Sequence, residues 1–188
     1  MAAEVFMRRL TRWQAEQQRE AVADTYVEAY RRAPGEEYHD RQDFLRRFAE
    51  DVQRPGFDMM VADGHALAGC AYGYVLERGG DLWHGFRGGL PVNVEELTAS
   101  GHVFVLAELM VLPAFRRRQI ATRLVDQLLI RTRATLVAAL VEPANVPVRS
   151  ALREWGWARF GDVQPDAQGT QSALLYEAWS RPLAHAAA

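Results

Sequence analysis

Cysteine is nearly absent from this sequence. Cys70 stands alone among 188 residues, which excludes an intrachain disulfide and any cysteine cluster for zinc or iron–sulfur. It lies in Gly69-Cys70-Ala71-Tyr72, a run that reads as a strand. No basic neighbour or helix start is there to lower its pKa, so a buried, inert thiol is favoured over a nucleophile. An excess of charge is missing too: 22 basic residues face 24 acidic ones, a formal net charge of −2. That balance argues against a chain that binds nucleic acid or an anionic membrane through bulk charge. No apolar stretch reaches the ~20 residues of a membrane-spanning helix. The start, Met1-Ala2-Ala3-Glu4, lacks the basic region and apolar run of a signal peptide, so the expected compartment is the cytosol. No His/Asp/Glu spacing suggests a metal site, and there is no internal repeat.

What is present fits one α/β domain, expected over residues 1–183, with a frayed tail from Ala184 to Ala188. Val5 to Leu10 reads as a strand. Trp13, Val22, Tyr26, Ala29 and Tyr30 recur at helical spacing between Thr11 and Arg32, and Pro34-Gly35 ends that helix. A second helix starts near Asp40, with Asp43 supporting its cap. It buries Phe44, Leu45, Phe48 and Val52, and closes at Pro55-Gly56. Phe57–Ala62 and Ala66–Leu76 read as strands joined at Asp63-Gly64, a hairpin signal. His102–Leu112 is a strand ended by Pro113. Arg117–Arg131 is a helix, and Leu136–Val141 a strand buried on both faces. Asn145 caps a helix that tolerates Pro147 in its first turn and stops at Gly156. Trp157–Val163 and Ala173–Trp179 are closing strands.

Two stretches break from plain periodicity. Gly79 to Gly101 is a glycine-rich interval holding Trp83, His84 and Phe86. It reads either as a mobile excursion or as a lid over an acceptor pocket, and its aromatic content favours the lid. His39, His65 and His102 read as capping, turn or core residues. The other stretch runs from Glu108 to Thr122. A buried strand enters Pro113, then a turn with Arg116, Arg117 and Arg118, then a helix start. Unpaired N–H groups and partial positive charge at a helix N-terminus suit a phosphate. A pyrophosphate is the natural occupant; a solvated basic turn is the plainer alternative.

This stretch resembles the acetyl-CoA-binding motif of the GNAT (Gcn5-related N-acetyltransferase) superfamily. Val111 and Pro113 match its Val-x-Pro, Arg116 its first basic position, and Ala121 its last small one. Gln119 stands where the motif's central glycine falls, so its β-carbon should push phosphates outward or enlist its amide as a donor. A later block, Glu142 to Trp157, is similar to the family's Asn-x-x-Ala segment and Gly-aromatic close, through Asn145 and Gly156-Trp157. It resembles Trp-Gly-Trp variants of actinobacterial GNAT proteins. Leu67 to Gly73 echoes the family's third strand.

The resemblance implies a GNAT fold: α/β (α+β), with a mixed, mostly antiparallel central sheet splayed at the acetyl-CoA site and flanked by helices. It also implies acetyl-CoA as co-substrate, without a metal. Leu109, Met110 and Val111 would offer backbone to the pantetheine arm. Arg116, Arg117, Arg118, Gln119, Ile120, Ala121 and Thr122 would hold the pyrophosphate, with Asn145 near the arm. The implied reaction is direct attack by a primary amine of a small molecule or peptide, with Trp83, His84 and Phe86 as acceptor contacts. Glu108 is the candidate base; alternatively it pairs with an arginine and shapes the pocket. Leu152 takes the place of the family's acid tyrosine, so Ser150 or solvent would protonate the thiolate. The alternative function is a non-catalytic acyl-CoA-binding or regulatory GNAT-like protein. A homodimer, common in this fold, would draw on Tyr176 and Trp179.

Overall fold

The computed structural model describes residues 4–31, 41–165 and 175–184. Pro34-Gly35, His39, Asp40, Ala173 and the end of the tail from residue 185 fall outside them. Seven strands and six α-helices are present among the described residues, and they form a mixed, mostly antiparallel α/β fold. The chain divides into two compact units: residues 1–74 with 106–132, and 75–105 with 133–188.

In the first unit, β1 (Phe6–Leu10), β2 (Asp58–Asp63), β3 (Leu67–Val75) and the end of β4 (Val103–Val111) lie in that order. β1 runs antiparallel to β2, with Phe6 opposite Asp63 and Leu10 opposite Met59. Arg8 reaches Asp63 at 2.6 Å, and Arg9 pairs with Asp58. The β2–β3 link is not a two-residue turn at Asp63-Gly64. Asp63 pairs with Leu67, so Gly64, His65 and Ala66 bridge the strands, closed by Gly64 N–H donating to Ala66 C=O at 3.1 Å. Gly64 keeps a negative φ, which excludes the type I′ turn the dipeptide favours.

The predicted Thr11–Arg32 helix is two helices, α1 (Arg12–Gln17) and α2 (Arg19–Tyr30). Thr11 and Gln14 form a reciprocal capping box on α1, and Gln18 (φ −97°, ψ 9°) breaks the run. In α3 (Arg41–Gln53), Phe44, Phe48 and Val52 recur every four residues and are buried; Leu45 is half-buried. They meet Tyr26, Met59, Val61, Tyr72 and Met110 in one core. Aromatic rings dominate it: Tyr26 stacks on Phe44 at 4.3 Å between centroids, and Phe48 meets Tyr72 edge-on at 5.1 Å. Cys70 is buried there, and desolvation raises its thiol pKa well above the usual value. α5 (Ile120–Leu129) buries Leu124 and Leu128 and packs on β2 and β1.

In the second unit, the start of β4, β5 (Leu136–Val141), β7 (Tyr176–Pro182) and β6 (Ala158–Val163) lie in that order. β4 and β5 are parallel, and their register covers three pairs, Val103–Leu136 to Val105–Ala138. The interval from Gly79 to Gly101 is not the irregular excursion its composition suggests. It contains a short 3₁₀ turn (Asp81–Trp83) and a helix, α4 (Val92–Ala99). α6 (Val146–Glu154) starts at Asn145, whose side chain accepts from Val148 N–H, and Gly156 follows it at φ +79°. Glu177 of β7 is buried and fully engaged: Arg149 Nε lies at 2.9 Å and Trp179 Nε1 at 3.1 Å. Lysine does not occur, so every permanently cationic side chain in the protein is an arginine.

Candidate active site

The first unit gathers most of the predicted donor-binding residues along β4 and the turn after it. Leu109 and Val111 are half-buried and Met110 is buried. The backbone here is tightly held: Leu112 N–H donates to Ala68 C=O at 2.8 Å. Pro113 opens a 3₁₀ turn, and α5 begins only at Ile120, three residues later than the sequence pattern suggests. The delay has a physical cause. Arg117 (φ +62°) and Gln119 (φ +58°) both sit in the left-handed region, so residues 116–119 form a turn rather than a first helical turn.

Gln119 thus adopts the conformation that favours the glycine it replaces. It is exposed, and its side chain does not cap α5. The first N–H groups of α5 are therefore without acceptors inside the helix. Gln119→Gly should leave stability within about 1 kcal/mol, because released strain and added chain entropy oppose each other. It should also tighten CoA binding several-fold in calorimetry. Gln119→Val places a β-branched residue in the same region and should lose stability and binding together.

The three arginines are not equivalent. Arg116 is fixed: its Nε donates to Val111 C=O at 3.1 Å and an Nη to Ala29 C=O at 2.7 Å. It straps the turn to the end of β4 and to the last turn of α2. Arg118 lies over the Phe115 ring at 5.5 Å and lines an open cavity of about 770 Å³ with Phe6, Ile120 and Arg123. Arg117 is exposed and has no hydrogen-bond partner among the described residues. Ile120 is buried, while Ala121 and Thr122 are half-buried at the helix start.

Upstream on β4, Glu108 is half-buried. Tyr30 Oη donates to its Oε1 at 2.5 Å. Burial pushes the carboxyl up to about 7, opposed by the Tyr30 hydrogen bond and by the charge of Arg47. The same burial, with the neighbouring carboxylate, holds the Tyr30 phenol well above its ordinary range. Glu108 has no arginine within ion-pair distance among the described residues; the Tyr30 phenol and the backbone N–H of Leu109 hydrogen-bond its carboxylate. Tyr30 was not among the residues the sequence singled out chemically. Its helical spacing marks only an inward face.

The second unit holds the remaining predicted residues. Asn145 is half-buried and spends its side-chain oxygen on α6. Leu152 is buried, and Ser150 is exposed. Trp83 is buried, and its Nε1 donates to Thr98 Oγ1 at 3.0 Å. Phe86 pairs with Val163 as an isolated bridge and stacks on Phe160 at 5.8 Å. It covers Gly161, where a β-carbon would meet its ring at 2.3 Å. His84 between them is exposed. No group of three or more His, Cys, Asp or Glu able to hold a metal occurs among the described residues.

Comparison with solved structures bears on this arrangement. A protein of the GNAT family from Desulfovibrio desulfuricans superposes with a TM-score of 0.62 at 14% identity, covering 96% of this chain and 100% of its own. NAA60 of Arabidopsis thaliana, solved with acetyl-CoA, gives 0.60 at 13% identity, covering 96% and 99%. Phosphinothricin acetyltransferase of Sinorhizobium meliloti, also solved with acetyl-CoA, gives 0.57 at 15% identity, covering 95% and 88%. At these identities the likeness shows the fold alone. No curated protein matches the chain. The Acetyltransferase (GNAT) family matches residues 15–157, a span that contains β4, the arginine turn and α6, and on that match the chain belongs to the GNAT family of acetyltransferases.

Proposed function

We propose that this protein is an acetyl-CoA-dependent N-acetyltransferase acting on a primary amine. One arrangement carries the reading: a single strand, β4, presents Glu108, whose carboxyl burial pushes up to about 7, and then runs into a turn with two left-handed residues ahead of α5, whose first N–H groups have no acceptor inside the helix. The turn suits a diphosphate, held by the α5 N–H groups and Arg117. Leu109 to Val111 supply backbone for the pantetheine amides.

Glu108 takes a proton from the acceptor ammonium. The freed nitrogen lone pair attacks the thioester carbonyl; the C–N bond forms and the C–S bond breaks. Sulfur leaves as thiolate and takes a proton from solvent, and the new amide loses the second nitrogen proton. Leu152 donates nothing. A thiol pKa near ~8.5 makes sulfur a fair leaving group without a dedicated acid.

The test is acetyl-CoA-dependent thiol release across a panel of amines, beside calorimetry with CoA. Binding together with amine-accelerated release supports the reading. Binding without acceleration by any amine turns the assignment to a non-catalytic acyl-CoA-binding protein, which Gln119 and Leu152 favour. Intact protein that binds no CoA would sink both.

A further inference from the structure

Tyr26 and Tyr30 lie four residues apart on α2, and their rings meet at 4.8 Å between centroids. Each phenol is committed to a charged side chain from another element. Tyr30 donates to Glu108 of β4, and Tyr26 Oη accepts from an Nη of Arg47 of α3 at 3.1 Å. A carboxyl and a guanidinium therefore stand at the ends of two adjacent rings. Arg47 is further steadied over the faces of Tyr26 (5.7 Å) and Phe44 (5.8 Å).

Arg47 differs from the other arginines of this region. Arg41 holds Glu20 and Asp24, Arg46 holds Asp43, and Arg54 holds Asp51 at 3.3 Å. Arg47 is exposed and has no carboxylate within ion-pair distance among the described residues. The other titratable groups that bear on Glu108 are Asp51 of α3, with Cys70 and Tyr72 of β3. Glu108 and Asp51 act on the guanidinium through charge alone, with no carboxylate of the described residues in ion-pair contact with it. A planar, pre-set fork that meets no anion among the described residues is a recognition element for a carboxylate.

We propose that the acceptor is a carboxylate-bearing amine of the amino-acid kind, with its carboxylate on Arg47 and its amine at Glu108. The proposal rests on the reading of Glu108 as base. A simple amine or polyamine would bring a second cation to Arg47 and gain nothing from it. A zwitterion meets opposite charge at both ends, and the guanidinium is already ordered by Tyr26 and Phe44, so little freedom is lost on binding.

Amino acids should be assayed beside the amines left by their decarboxylation, with acetyl-CoA-dependent thiol release as the readout. The carboxylated member of each pair should show a kcat/KM higher by about 10–100-fold, the range of a hydrogen-bonded charge contact. Arg47→Gln should raise KM for the carboxylated members by the same factor. Measured above the pH limb of Glu108, which loss of the Arg47 charge should move upward, it should leave kcat within about twofold, acetyl-CoA affinity unchanged, and the pairs no longer distinguished. Arg47→Lys should recover part of the preference, and melting curves show whether each variant is folded. Equal or better turnover of decarboxylated amines overturns the inference and leaves the base assignment standing. So does an Arg47→Gln effect that is the same for both members. Protein that binds acetyl-CoA but acetylates no member of any pair overturns both.

Discussion

Glu108→Gln should lower kcat with any acceptor by about 10²–10⁴-fold, the usual contribution of a positioned base, and leave the affinity for acetyl-CoA unchanged. Glutamine keeps an oxygen for the Tyr30 phenol, so the loss isolates proton acceptance from packing. The pH dependence gives a second handle. A base works unprotonated, so the rate should rise with pH through a midpoint near the carboxyl's value of about 7 and level off above it. The variant should lack that limb. Tyr30→Phe removes a hydrogen bond that favours the ionised carboxylate, so its limb should move to higher pH. Stability should respond in the opposite sense. The folded carboxyl titrates at about 7 against 4.5 for the ordinary group, so the native state holds the proton more tightly. That contribution is full below the unfolded value and is lost as pH rises through the folded one. Glu108→Gln should therefore melt progressively higher relative to wild type as pH goes from 5 to 8. An inactive variant that melts lower across this range would mean that packing, not catalysis, was lost.

Gly69→Ala should be the most disruptive small substitution in the first unit. A β-carbon there would lie 2.4 Å from the carbonyl oxygen of Met110 and 3.1 Å from Cα of Val111. Both are backbone atoms of β4, so no flexible side chain can yield and β3 and β4 must part. Overpacking of this kind costs about 1–3 kcal/mol, or roughly 2–12 °C in melting temperature for a chain of this size. The displaced segment is the one proposed to meet the pantetheine arm, so acetyl-CoA affinity should fall as well. Gly79→Ala is the control, because nothing lies within 4 Å of its added carbon; it should change stability by less than about 0.5 kcal/mol. A Gly69→Ala protein that melts within a degree of wild type would refute the close approach.

The order of elements was legible because local signals agreed with tertiary packing. The apolar run of β5, the Asn145 cap and the Gly156 stop each carry their own chemistry. The late start of α5 was not legible, because arginine and glutamine advertise nothing about a left-handed backbone. α4 was hidden by its setting: eight residues between Pro91 and Gly101 offer little more than two turns of periodicity. At the site, Glu108 stood out as a lone acid in an apolar strand. Its partner Tyr30 lies 78 residues away, and Arg47 lies on a helix face that reads as solvated. No local pattern joins three residues from three elements; packing of the α2 and α3 aromatic rings does.

The first unit's ion pairs, from Arg8–Asp63 to Arg54–Asp51, are made by arginine alone, as is the strap at Arg116. A guanidinium stays protonated and is not acylated under conditions that modify a lysine ammonium. With no lysine anywhere in the sequence, a protein that handles activated acetyl groups offers its own cargo no ε-amine to mark. The charges that hold this unit together cannot be erased by the reagent it consumes.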